Sequence, residues 1–311
     1  KWQTRCEPSS DKSCSVTKSV IIRIDVDSVE GIRNAIPFYL DELGKHNFQA
    51  SFFIPLGQNN VLKAALWRIW RPSFWKQSFY MKPWKTYTWF DKDVDRTGNI
   101  GAGHPKVLRT IEEHGHEIAL HGYDHATISD NAYSMSAVDY QKQIDMACEA
   151  YRDILGHDPV GTGSPGRRYN QVFADVQDPM EFLYASDVGG PEPCQVRVGD
   201  KVSSTIQVPV NIESVFSIVV RNRGDHKKSL DDLIDQIESC DDFLCLLLHT
   251  EYDYVHFRDH LRDLFAHMAD KGYKGIRCDR YAEQLKAEDL PIKDVKYGRW
   301  DGAVGPIAYT D

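Results

Sequence analysis

Hydrophobic runs of strand length alternate with helical patterns along most of this chain. The run at 19–25 predicts a strand, and the stretch near 30–45 has apolar residues at every third or fourth position, which predicts a helix. The same patterns predict further strands at 49–54, 117–120, 182–186, 205–209, 243–248 and 274–277, and helices near 104–114, 136–155, 229–239, 255–270 and 279–287. Alternating β and α elements favour a parallel sheet or barrel.

Three of these strands end on side chains that bind metals or transfer protons. The first run stops on Asp25 and Asp27, which the two-residue period of a strand places on one face. The run at 117–120 stops on His121, with His125 four residues later, and another run stops on His249. Active sites of βα folds lie where the strands finish. A carboxylate and two imidazoles, Asp27, His121 and His125, therefore predict one divalent metal site with a position left for water.

The remaining residues at these strand ends suit the hydrolysis of an amide. Asp25 can accept a proton from water, and His249 can protonate the departing amine. Asp187 can orient that histidine, although a plain loop carboxylate explains Asp187 equally well. Taken singly, an Asp-x-Asp pair is typical of a solvated strand end, and most isolated histidines are structural. Their combination favours catalysis, and no glycine-rich phosphate cradle supports phosphoryl transfer instead.

The segment at 58–100 interrupts the β/α alternation. Between residues 61 and 90 there are six lysines and arginines, no acidic residue and five tryptophans: Trp67, Trp70, Trp75, Trp84 and Trp89. Such a segment favours docking on an anionic membrane surface, because tryptophan rings and cationic side chains both suit the headgroup layer. A helical hairpin packed on the barrel is the main alternative, and stacking on single-stranded nucleic acid is a weaker one.

Composition limits the other classes of function. The chain has 311 residues and a formal net charge of −9, which argues against a general nucleic-acid partner. No apolar run is long enough for a membrane-spanning helix. The predicted organisation is a polar arm at 1–17 followed by one α/β catalytic domain at 18–311 that carries the insertion.

Three motifs resemble those of the polysaccharide deacetylases, carbohydrate esterase family 4. They are Ile-Asp25-Val-Asp27, His121-Gly-Tyr-Asp-His125 and Leu-His249-Thr-Glu251, which are similar to the first, second and fifth motifs of the family. The resemblance implies a distorted (β/α) barrel and a divalent ion such as zinc, cobalt or manganese. It assigns Asp25 as the base, Asp27, His121 and His125 as metal ligands, and His249 as the acid.

The chain departs from the family at two of its motifs. Val26 separates two aspartates that are usually adjacent, and Gly163 stands where the third motif usually has an arginine. Arg168 follows shortly afterwards and is expected to tether Asp25, with its neighbour Arg167 as the alternative.

The chain resembles a deformylase branch of this family more closely than it resembles the family's general motifs. The stretches that carry this closer resemblance are 23–28, 45–51, 66–70, 120–125 and 290–292. This branch implies a substrate in which an aminosugar is linked to undecaprenyl phosphate, a cytoplasmic location at the inner membrane, and a role in lipid A modification and polymyxin resistance. There are two alternatives. One is a deacetylase of peptidoglycan or another soluble glycan, and the other is a non-catalytic carbohydrate-binding relative.

Overall fold

A seven-stranded parallel sheet forms the centre of the computed structural model, which describes residues 18–58, 75, 79–80, 99–240, 242–300, 303 and 305–311. The strands are β1 (Ser19–Asp25), β2 (Ser51–Ile54), β3 (Glu117–Leu120), β4 (Gly161–Thr162), β5 (Tyr184–Ala185), β6 (Gln195–Val198), β7 (Lys201–Val202), β8 (Cys245–His249), β9 (Lys274–Ile276), β10 (Ile292–Asp294), β11 (Lys296–Gly298) and β12 (Ile307–Tyr309). The order in the sheet is β5-β4-β3-β2-β1-β8, and β9 also pairs with β1. Strands β6, β7 and β10 form a small second sheet, and β11 pairs with β12.

Helices separate the strands of the central sheet, as the sequence pattern predicts. They are α1 (Ile36–Lys45), α2 (Pro105–Glu113), α3 (His125–Asn131), α4 (Ala137–Leu155), α5 (Gln171–Gln177), α6 (Val215–Arg221), α7 (His226–Glu238), α8 (Thr250–His256), α9 (Arg258–Asp270) and α10 (Cys278–Ala282). A π-helical turn at Gly31–Ala35 leads into α1. Helix α4 shows why the longer ones form. Ser136 caps its first turn, Gly156 with φ of 82° ends it, and its buried residues recur at helical spacing.

The sheet curves into a distorted (β/α) barrel, as predicted. The predicted strand at 205–209 is not a regular strand, but its segment bridges the gap between β5 and β8. Gln207 and Val210 form isolated parallel bridges on the β5 side, and Ile212 forms one with Leu246 of β8. This irregular closure leaves the barrel with fewer regular strands than a full eight-stranded barrel has.

Alternate residues of β1 pack into two different apolar clusters. Val20, Ile22 and Ile24 of β1 belong to the larger apolar cluster, which includes buried residues of the surrounding helices. Ile21 belongs to the smaller cluster inside the barrel. Since side chains alternate along a strand, Arg23 and Asp25 share the interior face with Ile21. The interior face of β1 thus changes from apolar to charged toward its carboxyl end.

Most of the aromatic insertion lies outside the described residues, as does the polar arm at 1–17. Within 61–90, three residues are described: Trp75 and Phe79 are 61% and 70% exposed, whereas Tyr80 packs against the large apolar cluster. No helix within the described ranges is long and apolar enough to cross a membrane. The membrane-docking prediction for 61–90 therefore stays a prediction.

Glu117 forms a buried polar network at the amino end of β3. Its carboxylate accepts hydrogen bonds from the Tyr184 hydroxyl at 2.8 Å, from the Asp279 backbone N–H at 3.1 Å and from the Ser51 hydroxyl. Asp279 in turn pairs with Arg277. Burial, and then the charge of Asp279, raise the pKa of Glu117 to about 7. The folded protein therefore holds a proton on Glu117 that the unfolded chain releases near pH 4.5.

We expect the protein to lose stability as the pH rises from about 4.5 to about 7, because only the folded state keeps the Glu117 proton in that range. The loss is on the order of 3 kcal/mol. Urea unfolding at pH 5 and pH 8 measures it, and the Glu117→Gln variant should show a smaller difference between the two pH values. An exposed control, Glu288→Gln, should behave like the wild type. Equal pH dependence in Glu117→Gln and the wild type would contradict this assignment.

Candidate metal centre and catalytic site

Strand register brings the predicted site residues together at one end of the barrel. Asp25 ends β1 and His249 ends β8, and the two residues are directly paired across these parallel strands. His121 follows β3 immediately, and His125 is the first residue of α3. Asp27 lies two residues beyond the end of β1. The carboxyl ends of three strands thus supply all five residues.

Asp27, His121 and His125 form a cluster suited to a metal ion. One ligand atom from each lies within 4.8 Å of the others. The Nε2 atoms of His121 and His125 are 3.5 and 3.3 Å from the same Asp27 oxygen. His121 is buried, whereas Asp27 and His125 are partly exposed, so the cluster is open on one side. A closed protein side and an open solvent side are typical of catalytic metal sites.

The protonation of His121 shows that the cluster fits a cation. Its Nδ1 lies 2.7 Å from the Gly163 carbonyl oxygen, which can only accept a hydrogen bond, so Nδ1 carries the proton. Burial lowers the pKa of His121 to about 4, although the charge of Asp25 acts in the opposite direction. Its Nε2 is therefore an unprotonated, buried atom, and it has no hydrogen-bond partner among the described residues. A lone pair that faces two carboxylates is stabilised by a cation between them.

Arg23 holds Asp25, the role that the family resemblance leads us to expect of Arg168 or Arg167. The guanidinium donates two parallel hydrogen bonds to the Asp25 carboxylate, at 2.7 and 3.0 Å, and also contacts the Ser186 carbonyl oxygen. Arg23 lies over the Phe53 ring, 4.1 Å from its centroid. Burial would raise the pKa of Asp25, but the charge of Arg23 outweighs it and keeps that pKa well below its usual range. Asp25 is thus an ionised carboxylate in a buried position.

Arg168 does not contact Asp25 in this structure, because Arg23 already binds that carboxylate. Arg168 donates to the Pro306 carbonyl oxygen and so fastens the C-terminal segment to the loop after β4. The space near Asp25 is taken: a Cβ at Gly163 would lie 2.7 Å from the Phe53 ring and 3.2 Å from an Arg23 nitrogen. Glycine at 163 and arginine at 23 are therefore complementary. The guanidinium that binds Asp25 comes from Arg23 on β1. Gly163, at the position where the third motif usually has an arginine, has no side chain.

The prediction that Asp187 orients His249 is also not supported by the geometry. Asp187 is fully buried and accepts hydrogen bonds from the Ser164 backbone N–H and the Gln207 amide. The Nδ1 atom of His249 has no hydrogen-bond partner in the described part of the chain. His249 is held through its backbone instead, because its N–H donates to the Asp253 carboxylate at 2.7 Å. Burial lowers the pKa of the His249 ring.

Glu251 positions the loop that carries Asp27. Its buried carboxylate accepts hydrogen bonds from the Asp27 backbone N–H at 2.9 Å, the Ser28 hydroxyl at 2.8 Å and the Thr250 hydroxyl at 2.8 Å. Burial raises the pKa of Glu251. The strand-end segments that carry Asp27 and His249 are therefore joined behind the metal cluster.

Sequence reasoning missed three residues of this arrangement: Arg23, Glu251 and Asp253. Arg23 had a detectable signal, since it is a charged residue inside an apolar strand and two positions from Asp25. Glu251 stood within the fifth motif but had no assigned role. Asp253 gave no signal in the sequence, because its contact is with a backbone N–H.

A groove of about 600 Å³ opens beside the loop that joins His121 and His125. Tyr123, Asp124 and Thr127 contribute from that loop and α3, Lys142 from α4, and Gln58 from the start of the insertion. Its lining is mixed polar and apolar, and its volume is within the usual range of small-molecule sites.

Comparison with known proteins identifies related sequences and related folds. The family description "Polysaccharide deacetylase" matches residues 12–185, which is more than half of the chain. A Shewanella sediminis protein named as a probable 4-deoxy-4-formamido-L-arabinose-phosphoundecaprenol deformylase, ArnD, is 26% identical over 303 residues, covering 95% of each chain.

Two solved structures share the fold. A Mycobacterium smegmatis protein assigned as a polysaccharide deacetylase aligns with a TM-score of 0.59 and 18% identity, covering 91% of this chain and 96% of that one. The peptidoglycan deacetylase PdaC of Bacillus subtilis aligns with a TM-score of 0.51 and 14% identity, covering 86% and 91%. The sequence match and the shared distorted barrel lead to one conclusion: this chain belongs to the polysaccharide deacetylase family.

Proposed function

We propose that this chain is a metal-dependent amide hydrolase that removes a formyl group from an aminosugar linked to undecaprenyl phosphate. The observation that carries the proposal is the convergence of Asp27, His121 and His125 within 4.8 Å, beside the ionised carboxylate of Asp25. Zinc, cobalt and manganese all suit a carboxylate and two imidazoles. The position of the His121 Nε2 atom, 3.6 and 3.5 Å from the carboxylates of Asp25 and Asp27, supports the proposal of such an ion.

Asp25 and His249 are the proposed base and acid. The divalent ion, when bound, makes water more acidic and polarises the amide carbonyl. Asp25 accepts the proton of the attacking water, and Arg23 keeps the carboxylate ionised and fixed for that step. His249 donates a proton to the nitrogen as the C–N bond breaks, which releases formate and the free amine.

The proposed substrate class comes from the Shewanella relative, whose name specifies a formamido sugar on phosphoundecaprenol. The groove beside the histidine loop has the size and the mixed polarity that a sugar ring needs. Turnover of formylated and acetylated lipid-linked aminosugar, followed by mass spectrometry, tests the proposal. Formyl release from the lipid-linked substrate supports it. Efficient deacetylation of lipid-free peptidoglycan or another soluble glycan, without formyl release, would favour the second candidate function.

The insertion is proposed to bring the enzyme to this substrate. Residues 61–90 would place the cytoplasmic catalytic domain on the inner membrane, where a lipid-linked sugar is presented. Trp75 and Phe79 are exposed, which suits membrane contact, whereas the packing of Tyr80 agrees with a segment attached to the barrel. The other alternative, a non-catalytic carbohydrate-binding protein, does not require the base and acid that this site retains.

Liposome binding tests the insertion separately from catalysis. We expect a Trp67/Trp70/Trp75→Ala variant to lose cosedimentation with anionic vesicles, because the rings no longer enter the headgroup layer. It should keep its metal and its activity on a short-chain, water-soluble analogue. Replacing Trp300, which lies outside the insertion, by alanine provides a matched control. Wild-type binding by the triple variant would show that these aromatics pack on the protein.

A further inference from the structure

Arg167 occupies an unusual position at the edge of the catalytic site. It is the last residue of a short 3-10 turn, Pro165–Arg167, that follows β4. Gly166 and Arg167 both adopt left-handed backbone conformations, with φ of 65° and 52°. Such conformations are uncommon for residues other than glycine and persist where the surroundings hold them. The turn directs Arg167 and Arg168 to different places, since Arg168 binds the Pro306 carbonyl oxygen.

The guanidinium of Arg167 is partly buried between two features of the barrel rim. It lies 5.7 Å from the centroid of the Trp300 ring, and one nitrogen lies 3.3 Å from the point where a Cβ at Gly189 would be. In the described part of the chain, no hydrogen bond or ion pair joins this guanidinium to another residue. A side chain at position 189 would contact the Arg167 guanidinium closely, so Gly189 leaves room for Arg167.

Among the described residues, the carboxylates that act on Arg167 through their charge already have partners. Asp25 and Arg23 are close enough to affect its pKa, but they pair with each other. Glu213 also acts on Arg167 through its charge, and this carboxylate is bound by Arg221. Burial, and then the charge of Arg23, lower the pKa of Arg167 to about 10, so it stays charged at neutral pH.

A partly buried guanidinium without a counter-charge is unfavourable in the free protein. The cost is offset when an anion binds, because guanidinium forms paired, charge-assisted hydrogen bonds to the oxygens of phosphate and carboxylate. The proposed substrate has one anionic group near the reacting amide. Its phosphodiester joins the anomeric carbon of the sugar to the lipid, one ring width from the formamido nitrogen.

We propose that Arg167 binds the phosphodiester of the lipid-linked aminosugar and so selects substrates that carry a phosphate at the anomeric carbon. This inference rests on the proposed function and adds the group that recognises the phosphate. Arg167 is a specificity residue and does not take part in the proton transfers, which belong to Asp25 and His249.

Two substrates of the same formamido sugar test the assignment. One carries a short prenyl phosphodiester at the anomeric carbon, and the other carries an uncharged alkyl group of similar length. The ratio of kcat/KM for the charged to the neutral substrate should fall about 10- to 100-fold in Arg167→Met. Arg167→Lys should recover part of the ratio, because it keeps the charge but not the paired donors. Arg197→Met, at an exposed arginine on β6 that pairs with Asp294, is the matched control and should keep the wild-type ratio.

Equilibrium binding separates this inference from the proposed function. The metal-loaded wild type should bind the deformylated phosphodiester product more tightly than the neutral product, and Arg167→Met should lose that preference. A wild type that shows this preference but hydrolyses neither substrate would contradict the proposed function and still support the anion site. Equal charged-to-neutral ratios in Arg167→Met and the wild type, in both binding and turnover, would overturn the assignment.

Discussion

Asp25→Asn is expected to lower turnover by about 10²- to 10⁴-fold, the usual contribution of a general base. Asparagine keeps the shape of the side chain and can still accept a hydrogen bond from Arg23, but it cannot take the proton of the attacking water. Metal content should stay near one ion per chain, because Asp27, His121 and His125 are unchanged. Steady-state kinetics together with elemental analysis measure both quantities.

The metal content of Asp25→Asn shows whether Asp25 acts as the base or as a metal ligand. Loss of the metal in Asp25→Asn would make Asp25 a ligand, which its 3.6 Å distance from His121 Nε2 also allows. His249→Ala should lower turnover by a similar factor without loss of metal, and wild-type activity would remove His249 as the acid. Asp200→Asn, at an exposed position in the β6–β7 turn, serves as the control and should have wild-type activity.

Arg23→Met is expected to destabilise the fold by about 3–5 kcal/mol, because it leaves the Asp25 carboxylate buried without its partner. Both side chains are almost fully buried, at 1% and 5% exposure. Methionine fills much of the same volume, so lost packing contributes little. The free energy of unfolding from urea titration measures the effect. Arg280→Met, which breaks an exposed pair with Glu283, should cost less than about 1 kcal/mol.

A double-mutant cycle shows whether the charge of Asp25 causes that loss. Arg23→Met/Asp25→Asn removes both charges and should be more stable than Arg23→Met alone, since no unpaired charge is left in the barrel. Strictly additive effects of the two substitutions would show that Arg23 stabilises the fold through packing and not through its charge.

The convergence of Asp25, Asp27, His121, His125 and His249 could be predicted because these residues follow strand ends. Asp25, His121 and His249 end apolar runs, and parallel strands bring such ends together. The contacts among these residues were harder to predict. Arg23 fits beside Asp25 because Gly163 leaves space next to Phe53. Only the three-dimensional structure shows this space, so the sequence does not distinguish Arg23 from Arg168 as the partner of Asp25.

The less regular elements were also missed for physical reasons. Helix α3 starts at His125, inside the metal motif, and its polar sequence has little apolar periodicity. Helix α6 has six buried residues among seven, so it has no polar face that would mark a helix. The alternating pattern at 205–209 predicts a strand, but this segment pairs only through single bridges.

A crystal structure of the protein soaked with zinc, with anomalous diffraction recorded at the zinc absorption edge, would show directly whether the cluster binds a catalytic metal. We expect a single ion bound by Asp27, His121 and His125 at about 2.0–2.2 Å from each ligand atom. We also expect Arg23 to keep its contact with Asp25 in the metal-bound protein. An ion bound elsewhere, or no ion within bonding distance of all three residues, would contradict the metal-dependent mechanism.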